Sequence, residues 1–190
     1  MKKANYIIFD CETGGLDPVQ NPITQIALIT IDNDSLKEIN RWETFVKPYD
    51  GLEVTKGALE TTGLKMADIN EGMDKKDLVN SLITYFKESS PNNRPENRPV
   101  LVGHNVQFDM GFLEYVFNSV GKSSFDFINP TQIDTMALTK MYNQTDKLKL
   151  EVCCSEFGIE LKNAHRAMPD VVATTSLLKH YINEIGRAHV

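Results

Sequence analysis

The sequence predicts an α/β layered fold, a mixed central β-sheet flanked by helices, and three observations carry that prediction. Three runs rich in β-branched and aromatic residues fall within the first 46 positions, an amphipathic stripe follows, and a short buried strand then gives way to helical patterns. The first run, Ala4 to Asp10 (ANYIIFD), and the second, Ile23 to Asp32 (ITQIALITID), are separated by the turn signals Gly14-Gly15 and Asp17-Pro18. A third strand is expected from Ile39 to Val46, around the only tryptophan, Trp42. It stops at Pro48, because proline cannot donate to a ladder.

The period then changes. From Asp74 to Glu88, Leu78, Leu82, Ile83 and Phe86 share one stripe, with Lys75, Lys76 and Lys87 among the polar positions, which predicts an amphipathic helix. Ser89 to Pro99 (SSPNNRPENRP) holds three prolines, three asparagines and two arginines, so no packed element is expected there. The segment 89–99 is read as a mobile surface loop, with Arg94 and Arg98 as anion contacts in the alternative reading. Val100 to Gly103 is a short buried strand, and Phe108 to Val120 a helix capped by Asn105 or a neighbour. From Ile133 onward the pattern is mainly helical, ending in a long helix from about Pro169 to Ile185. Neither an internal repeat nor a heptad pattern is present, so 1–190 is read as a single domain.

Composition bounds the function. With 41% hydrophobic and 24% charged residues among 190, intrinsic disorder is excluded. Lys plus Arg number 20 against 26 Asp plus Glu, a formal charge of 20 − 26 = −6. That balance argues against a protein that coats nucleic acid through a broad basic surface. It leaves room for a site that meets phosphates through cations held by carboxylates. The aliphatic run Ile26 to Ile29 is far short of the roughly 18 residues of a membrane span. The apolar stretch Tyr6 to Phe9 after Lys2 and Lys3 is too short for a signal-peptide core and lacks a small-residue cleavage site. A soluble, cytoplasmic protein with no membrane partner is expected. Cys11, Cys153 and Cys154 are odd in number and two are adjacent, which fits reduced thiols rather than a disulfide framework.

Four carboxylates stand where solvent-facing acids are not expected. Asp10 and Glu12 end the first strand, and the two-residue period turns both to one face with Cys11 on the other. Asp109 has Phe112, Leu113 and Val116 as helical neighbours, and Asp170 has Ala173, Thr174, Leu177 and Leu178, so each lies on an apolar stripe near the start of its helix. If the fold brings these acids together, pairs about 4 Å apart repel by roughly 4 kcal/mol at an effective dielectric of 20, so they require protonation or cations. Ligation by oxygen alone selects hard ions, Mg²⁺ or Mn²⁺. Two such ions point to in-line displacement at phosphorus with water as nucleophile.

Of four histidines, His180 and His189 fall late in the chain and carry no functional signal, and His104 ends a buried strand, where a satisfied structural ring is the default. His165 differs. Pro169 fits the first turn of a helix and disfavours helical geometry at Met168, which places His165 on a loop beside Asp170, where an imidazole can deprotonate water.

These residues fall into three motifs: Asp10-Cys11-Glu12-Thr13-Gly14, His104-Asn105-Val106-Gln107-Phe108-Asp109, and His165-Arg166-Ala167-Met168-Pro169-Asp170. Their order and spacing resemble the histidine-containing (DEDDh) branch of the DnaQ-like 3′-to-5′ exonucleases, above all proofreading ε subunits and the exonuclease domain of Gram-positive replicative polymerases. Thr62-Gly63 is similar to a further family segment. The resemblance implies a ribonuclease-H-like fold in which Asp10, Glu12, Asp109 and Asp170 hold two divalent ions and His165 is the general base. It also implies that Thr13 and Gly14 receive the terminal 3′-hydroxyl, that Leu16 stacks or wedges against the terminal bases, and that His104, Asn105 and Phe108 shape the pocket. The substrate so implied is a single-stranded or frayed DNA 3′ end. An exoribonuclease of the same family, a non-catalytic polymerase- or nucleic-acid-binding module, and a small-molecule phosphohydrolase remain alternatives. Two departures stand out: Gln25 where many relatives carry glutamate, and Pro169 within the third motif. Only 20 residues (190 − 170) follow that motif, which leaves polymerase attachment open.

Overall fold

The computed structural model describes residues 4–92, 94–143, 146–161 and 164–187. Strands β1 (Tyr6–Thr13), β2 (Ile23–Ile31) and β3 (Glu38–Phe45) form an antiparallel meander. Helices α1 (Lys56–Thr62), α2 (Met66–Asn70) and α3 (Lys75–Ser89) follow, then β4 (Val100–Gly103), α4 (Val106–Asn118), β5 (Ile133–Asp134), α5 (Thr135–Asn143), α6 (Leu150–Glu156) and α7 (Ala167–Arg187). The sheet order is β3-β2-β1-β4-β5, with β4 parallel to both β1 and β5, so the predicted mixed sheet is present.

All nine residues of β2 are buried, because helices cover both faces of the sheet around it. On one face Ile7, Phe9, Ile26 and Leu28 pack against Leu78, Leu82 and Phe86 of α3 and Phe112, Leu113 and Val116 of α4. On the other, Ile8, Ala27, Ile29 and Ile31 pack against Ala167, Val171 and Leu178 of α7. Burying each such side chain contributes about 1.5–3 kcal/mol, which fixes the pleat of β1 and hence the face on which each polar residue of that strand emerges. Among the described residues no helix is long and apolar enough to cross a membrane.

Several boundaries differ from expectation, each for a local reason. Strand β1 continues through Asp10 to Thr13, because its partner β2 supplies ladder positions up to Ile23; the acids therefore sit within the strand rather than at its end. The stretch after Ile133 opens with a two-residue strand at the sheet edge before turning helical. The 89–99 segment does contain a packed element, a 3-10 turn at Pro95–Asn97 whose Asn97 is buried and donates to Asn92 Oδ1 at 2.9 Å. Arg98 donates to the Phe125 carbonyl at 2.8 Å, near the beginning of β4 and thus at the opposite strand end from His104. Helix α7 starts at Ala167, so Met168 is helical after all. Pro169 is the third helical residue, where the missing N–H is one of the four without an intrahelical partner. His180 stacks on Phe157 with ring centroids 3.9 Å apart, whereas His189 lies outside the described residues.

Candidate active site

The carboxylates converge where the C-terminal half of β1 meets the first turn of α7. Because Ile8 faces α7, Asp10 and Glu12 do too, and Asp170 projects toward them from that helix. One oxygen from each of Asp10, Glu12 and Asp170 lies within 4.8 Å of the others. Asp109 comes from the first turn of α4 on the opposite layer, and its Oδ1 accepts the Cys11 backbone N–H at 3.0 Å. That bond ties α4 to the peptide between Asp10 and Glu12, so three chain segments meet at one point.

Burial and mutual proximity disfavour charge on these carboxylates. Burial, reinforced by Asp109, Glu12 and Asp170, holds the Asp10 carboxyl well above the ordinary range. Burial also raises Glu12 to about 7, with Asp170 adding to the shift and Arg166 opposing it. Asp109 is raised by burial to about 8 even though the Cys11 N–H stabilises its anion, and Asp170 by burial to about 6 against the pull of the His165 N–H. Asp170 Oδ2 accepts that N–H at 3.0 Å, while its buried Oδ1 has no hydrogen-bond partner among the described residues. An orphaned buried carboxylate oxygen is costly unless a cation meets it, and the donor set is all oxygen, so these residues fit hard divalent ions.

His165 stands on a loop as expected, with φ of 65°, a left-handed conformation that the Asp170 hydrogen bond helps to hold. Its Nε2 lies 3.7 Å from Glu151 Oε1, and both line a pocket of about 280 Å³ together with Asp10 and Asp170. On the other side of β1, Leu16, Thr13 and Phe108 line a cleft of about 460 Å³ closed by Thr55, Ala58 and Thr62 around α1. Leu16 is 85% exposed, yet its loop is fixed: Asn21 Nδ2 donates to the Glu53 carbonyl at 2.9 Å, and Asn21 Oδ1 accepts the Asp17 N–H at 3.2 Å. A Cβ on Gly15 would lie 2.4 Å from Asn21 Oδ1, which is why glycine is required there. Thr13 Oγ1 donates to the Gly15 carbonyl at 2.6 Å. Gly14 engages both backbone groups within the fold, its N–H on the Pro22 carbonyl and its carbonyl accepting the Thr55 N–H, each at 2.8 Å.

Two residues expected to shape the pocket also make hydrogen bonds within the protein. His104 Nε2 meets the Leu148 carbonyl at 2.6 Å and Nδ1 meets Thr135 Oγ1 at 2.9 Å. Burial lowers its pKa, Nε2 donates to the Leu148 carbonyl, and both ring nitrogens are engaged within the protein. Asn105 occupies the N-cap position of α4 but makes no side-chain cap bond. With φ of 67° it donates its backbone N–H to Asp134 Oδ1 at 3.0 Å. Asp134, Glu151 and Arg166 are the site-adjacent residues that the motif reading left without a role. Arg166 was within a quoted motif, and Asp134 precedes a threonine-led helix, a capping signal; Glu151 carries no sequence signal, because its relation to His165 is tertiary. Gln25, opposite Glu12 in the ladder, receives the Ala167 N–H at 3.4 Å and so ties the start of α7 to the sheet.

This architecture defines an α/β protein with a cluster of carboxylates, Asp10, Glu12 and Asp170, that could hold a metal ion. A family model described as Exonuclease (RNase_T) matches residues 7–178. The DNA polymerase III PolC-type protein of Halalkalibacterium halodurans is 31% identical over 182 residues, covering 95% of this chain and 12% of that protein. For the PolC-type protein of Bacillus subtilis the identity is 30% over 182 residues, covering 94% and 11%. The chain thus spans roughly one-eighth of the length of these relatives. Among solved structures, Escherichia coli exonuclease I in complex with a dT13 oligonucleotide aligns with a TM-score of 0.82 at 22% identity, over 98% of this chain and 43% of that one. That likeness bears out the ribonuclease-H-like fold. The chain belongs to the exonuclease family, as the three motifs implied.

Proposed function

We propose that the protein is a 3′-to-5′ exonuclease that hydrolyses DNA from its 3′ end and releases nucleoside 5′-monophosphates. The observation that carries this reading is the convergence of Asp10, Glu12 and Asp170 within 4.8 Å, with Asp109 bonded to the peptide between the first two. These four residues hold two divalent cations, Mg²⁺ or Mn²⁺, since no nitrogen or sulfur donor takes part. When bound, the ions supply charge neutralisation at the phosphate and a lowered barrier to ionising water. His165, exposed on its loop beside Asp10 and Asp170, takes the proton from the attacking water. The Leu16–Phe108 cleft receives the terminal nucleotide, with Leu16 against the bases, a contact tolerant of sequence. Thr13 borders this path.

DNA rather than RNA is favoured by the PolC-type relatives, whose names identify them as DNA polymerases. Proofreading beside a polymerase is the setting that this relationship supports. Three buried cysteines with no disulfide among them suit a reducing cytoplasmic compartment. The test is digestion of end-labelled single-stranded DNA, mismatched duplex and RNA with Mg²⁺ or Mn²⁺. Wild type should shorten the DNA from its 3′ end, and Asp10→Ala should lose at least about 10²-fold. Equal digestion by both proteins refutes the assignment; preference for RNA replaces DNA as the substrate.

A further inference from the structure

We propose that Glu151, in the first turn of α6, is the positioning residue of the His165 imidazole, and that His104 is the clamp that holds α6 where this requires. The inference rests on His165 as general base and adds what aims it. The His165 backbone is fixed by its left-handed φ and by the N–H to Asp170 Oδ2 at 3.0 Å. A fixed backbone does not fix the ring: the side chain is 56% exposed, and staggered χ1 wells remain open to it. The Glu151 carboxylate, 3.7 Å from Nε2, favours the well that keeps the ring in the pocket shared with Asp10 and Asp170. At that separation the contact is electrostatic guidance rather than a hydrogen bond.

Such guidance works only if Glu151 is itself held. Helix α6 is anchored from beneath by the buried Cys153 and Cys154, and at its entry by His104. The His104 ring joins the end of β4 to the start of α5 through Thr135 Oγ1 and to the segment leading into α6 through the Leu148 carbonyl, three residues before Glu151. With both nitrogens engaged, His104 reaches the chemistry only through α6. Glu151 lies outside the three motifs, and His104, within the second of them, turns both ring nitrogens to the protein.

The experiment combines steady-state kinetics on single-stranded DNA with Mn²⁺ titration and with NMR of the His165 ring in metal-free protein. Glu151→Gln should lower kcat about 1.5- to 5-fold, the range of a solvent-exposed electrostatic contact, while KM and Mn²⁺ affinity stay unchanged and the ring order parameter falls. Glu151→Asp should restore part of both. His104→Asn should reproduce the kcat loss at constant KM, and the double variant should lose less than the product of the single losses. Should His104→Asn fail to fold, Glu151→Gln, at a half-exposed position, carries the test alone. Unchanged kcat and ring order in Glu151→Gln overturn the proposal, as does a weakened Mn²⁺ affinity, which would make Glu151 a ligand. A raised KM with intact kcat in His104→Asn overturns the clamp. His165→Ala separates the two layers: if it leaves kcat intact, the base reading fails; if it abolishes turnover while Glu151→Gln does nothing, only the positioning role fails.

Discussion

Replacing Glu12 by glutamine should stabilise the metal-free protein at alkaline pH while removing its capacity to be stabilised by metal. The folded state raises the Glu12 carboxyl from 4.5 to about 7, chiefly by burial, with the neighbouring Asp170 next. A carboxyl raised in the folded state contributes its stability below the unfolded value and loses it as pH climbs through the folded one. The wild-type protein without metal therefore weakens between about pH 4.5 and pH 7, and at pH 8 the ionised Glu12 costs up to about 3 kcal/mol at roughly 1.4 kcal/mol per pH unit. Glutamine keeps the shape and carries no charge, and the attraction of Arg166 is already contained in the value of about 7, so a net gain of about 1–3 kcal/mol is expected. For a chain of this length that raises Tm by about 2–10 °C. At pH 5, where wild-type Glu12 is already largely protonated, the two proteins should melt together. Saturating Mn²⁺ should reverse the order at pH 8, since a ligand at 100 times its Kd adds about 2.7 kcal/mol to the form that binds it. The assay is thermal denaturation at pH 5 and pH 8, in EDTA and in Mn²⁺. A variant that melts below wild type at pH 8 in EDTA, a gap that does not widen with pH, or an equal gain from Mn²⁺ in both proteins would refute the reasoning.

Other expectations are sharper in direction than in size. If the His165 ring supplies proton transfer rather than ligation, as proposed, His165→Ala should lower kcat by about 10²- to 10⁴-fold, with Mn²⁺ affinity by calorimetry within about twofold of wild type. Leu16→Ala should leave the unfolding free energy within about 0.5 kcal/mol of wild type, as its side chain is 85% exposed, and should weaken binding of single-stranded DNA by about 1–3 kcal/mol in a fluorescence titration. Gly15→Ala should cost about 1–3 kcal/mol in chemical denaturation, because the added methyl meets an Asn21 side chain whose hydrogen bonds to Glu53 and Asp17 prevent it from yielding.

Much of the site was legible because acids on apolar stripes are anomalies that a sequence cannot hide. Asp109 beside Phe112, Leu113 and Val116, and Asp170 beside Ala173, Leu177 and Leu178, are improbable on a solvated face, and both prove buried. The layered fold was legible for the same reason, since the change from a two-residue to a helical period separates the strands from α3 and α4. Short elements were not. Helices α1 and α2 have seven and five residues and are held by capping and by tertiary contact; Thr55 Oγ1 accepting the Ala58 N–H at 3.2 Å starts the first of them. Strand β5, two residues long, exists only because β4 offers it an edge.

The hydrogen bonds of His104 show why motif membership and substrate contact are different properties. A histidine that directly follows a buried strand can serve the site by what it presents to a ligand or by what it ties together, and both roles leave the same letter in the sequence. Two ring-nitrogen distances of 2.6 and 2.9 Å to a carbonyl and a hydroxyl support the second. Asp109 carries both properties at once: its carboxylate is one of the four acids, and its hydrogen bond to Cys11 sets the peptide between two others. A change at Asp109 that preserves the acceptor but removes the charge, Asp109→Asn, would therefore separate what the fold requires of this position from what the cations require. The folded geometry of β1 should survive it, and the affinity for divalent ions should not.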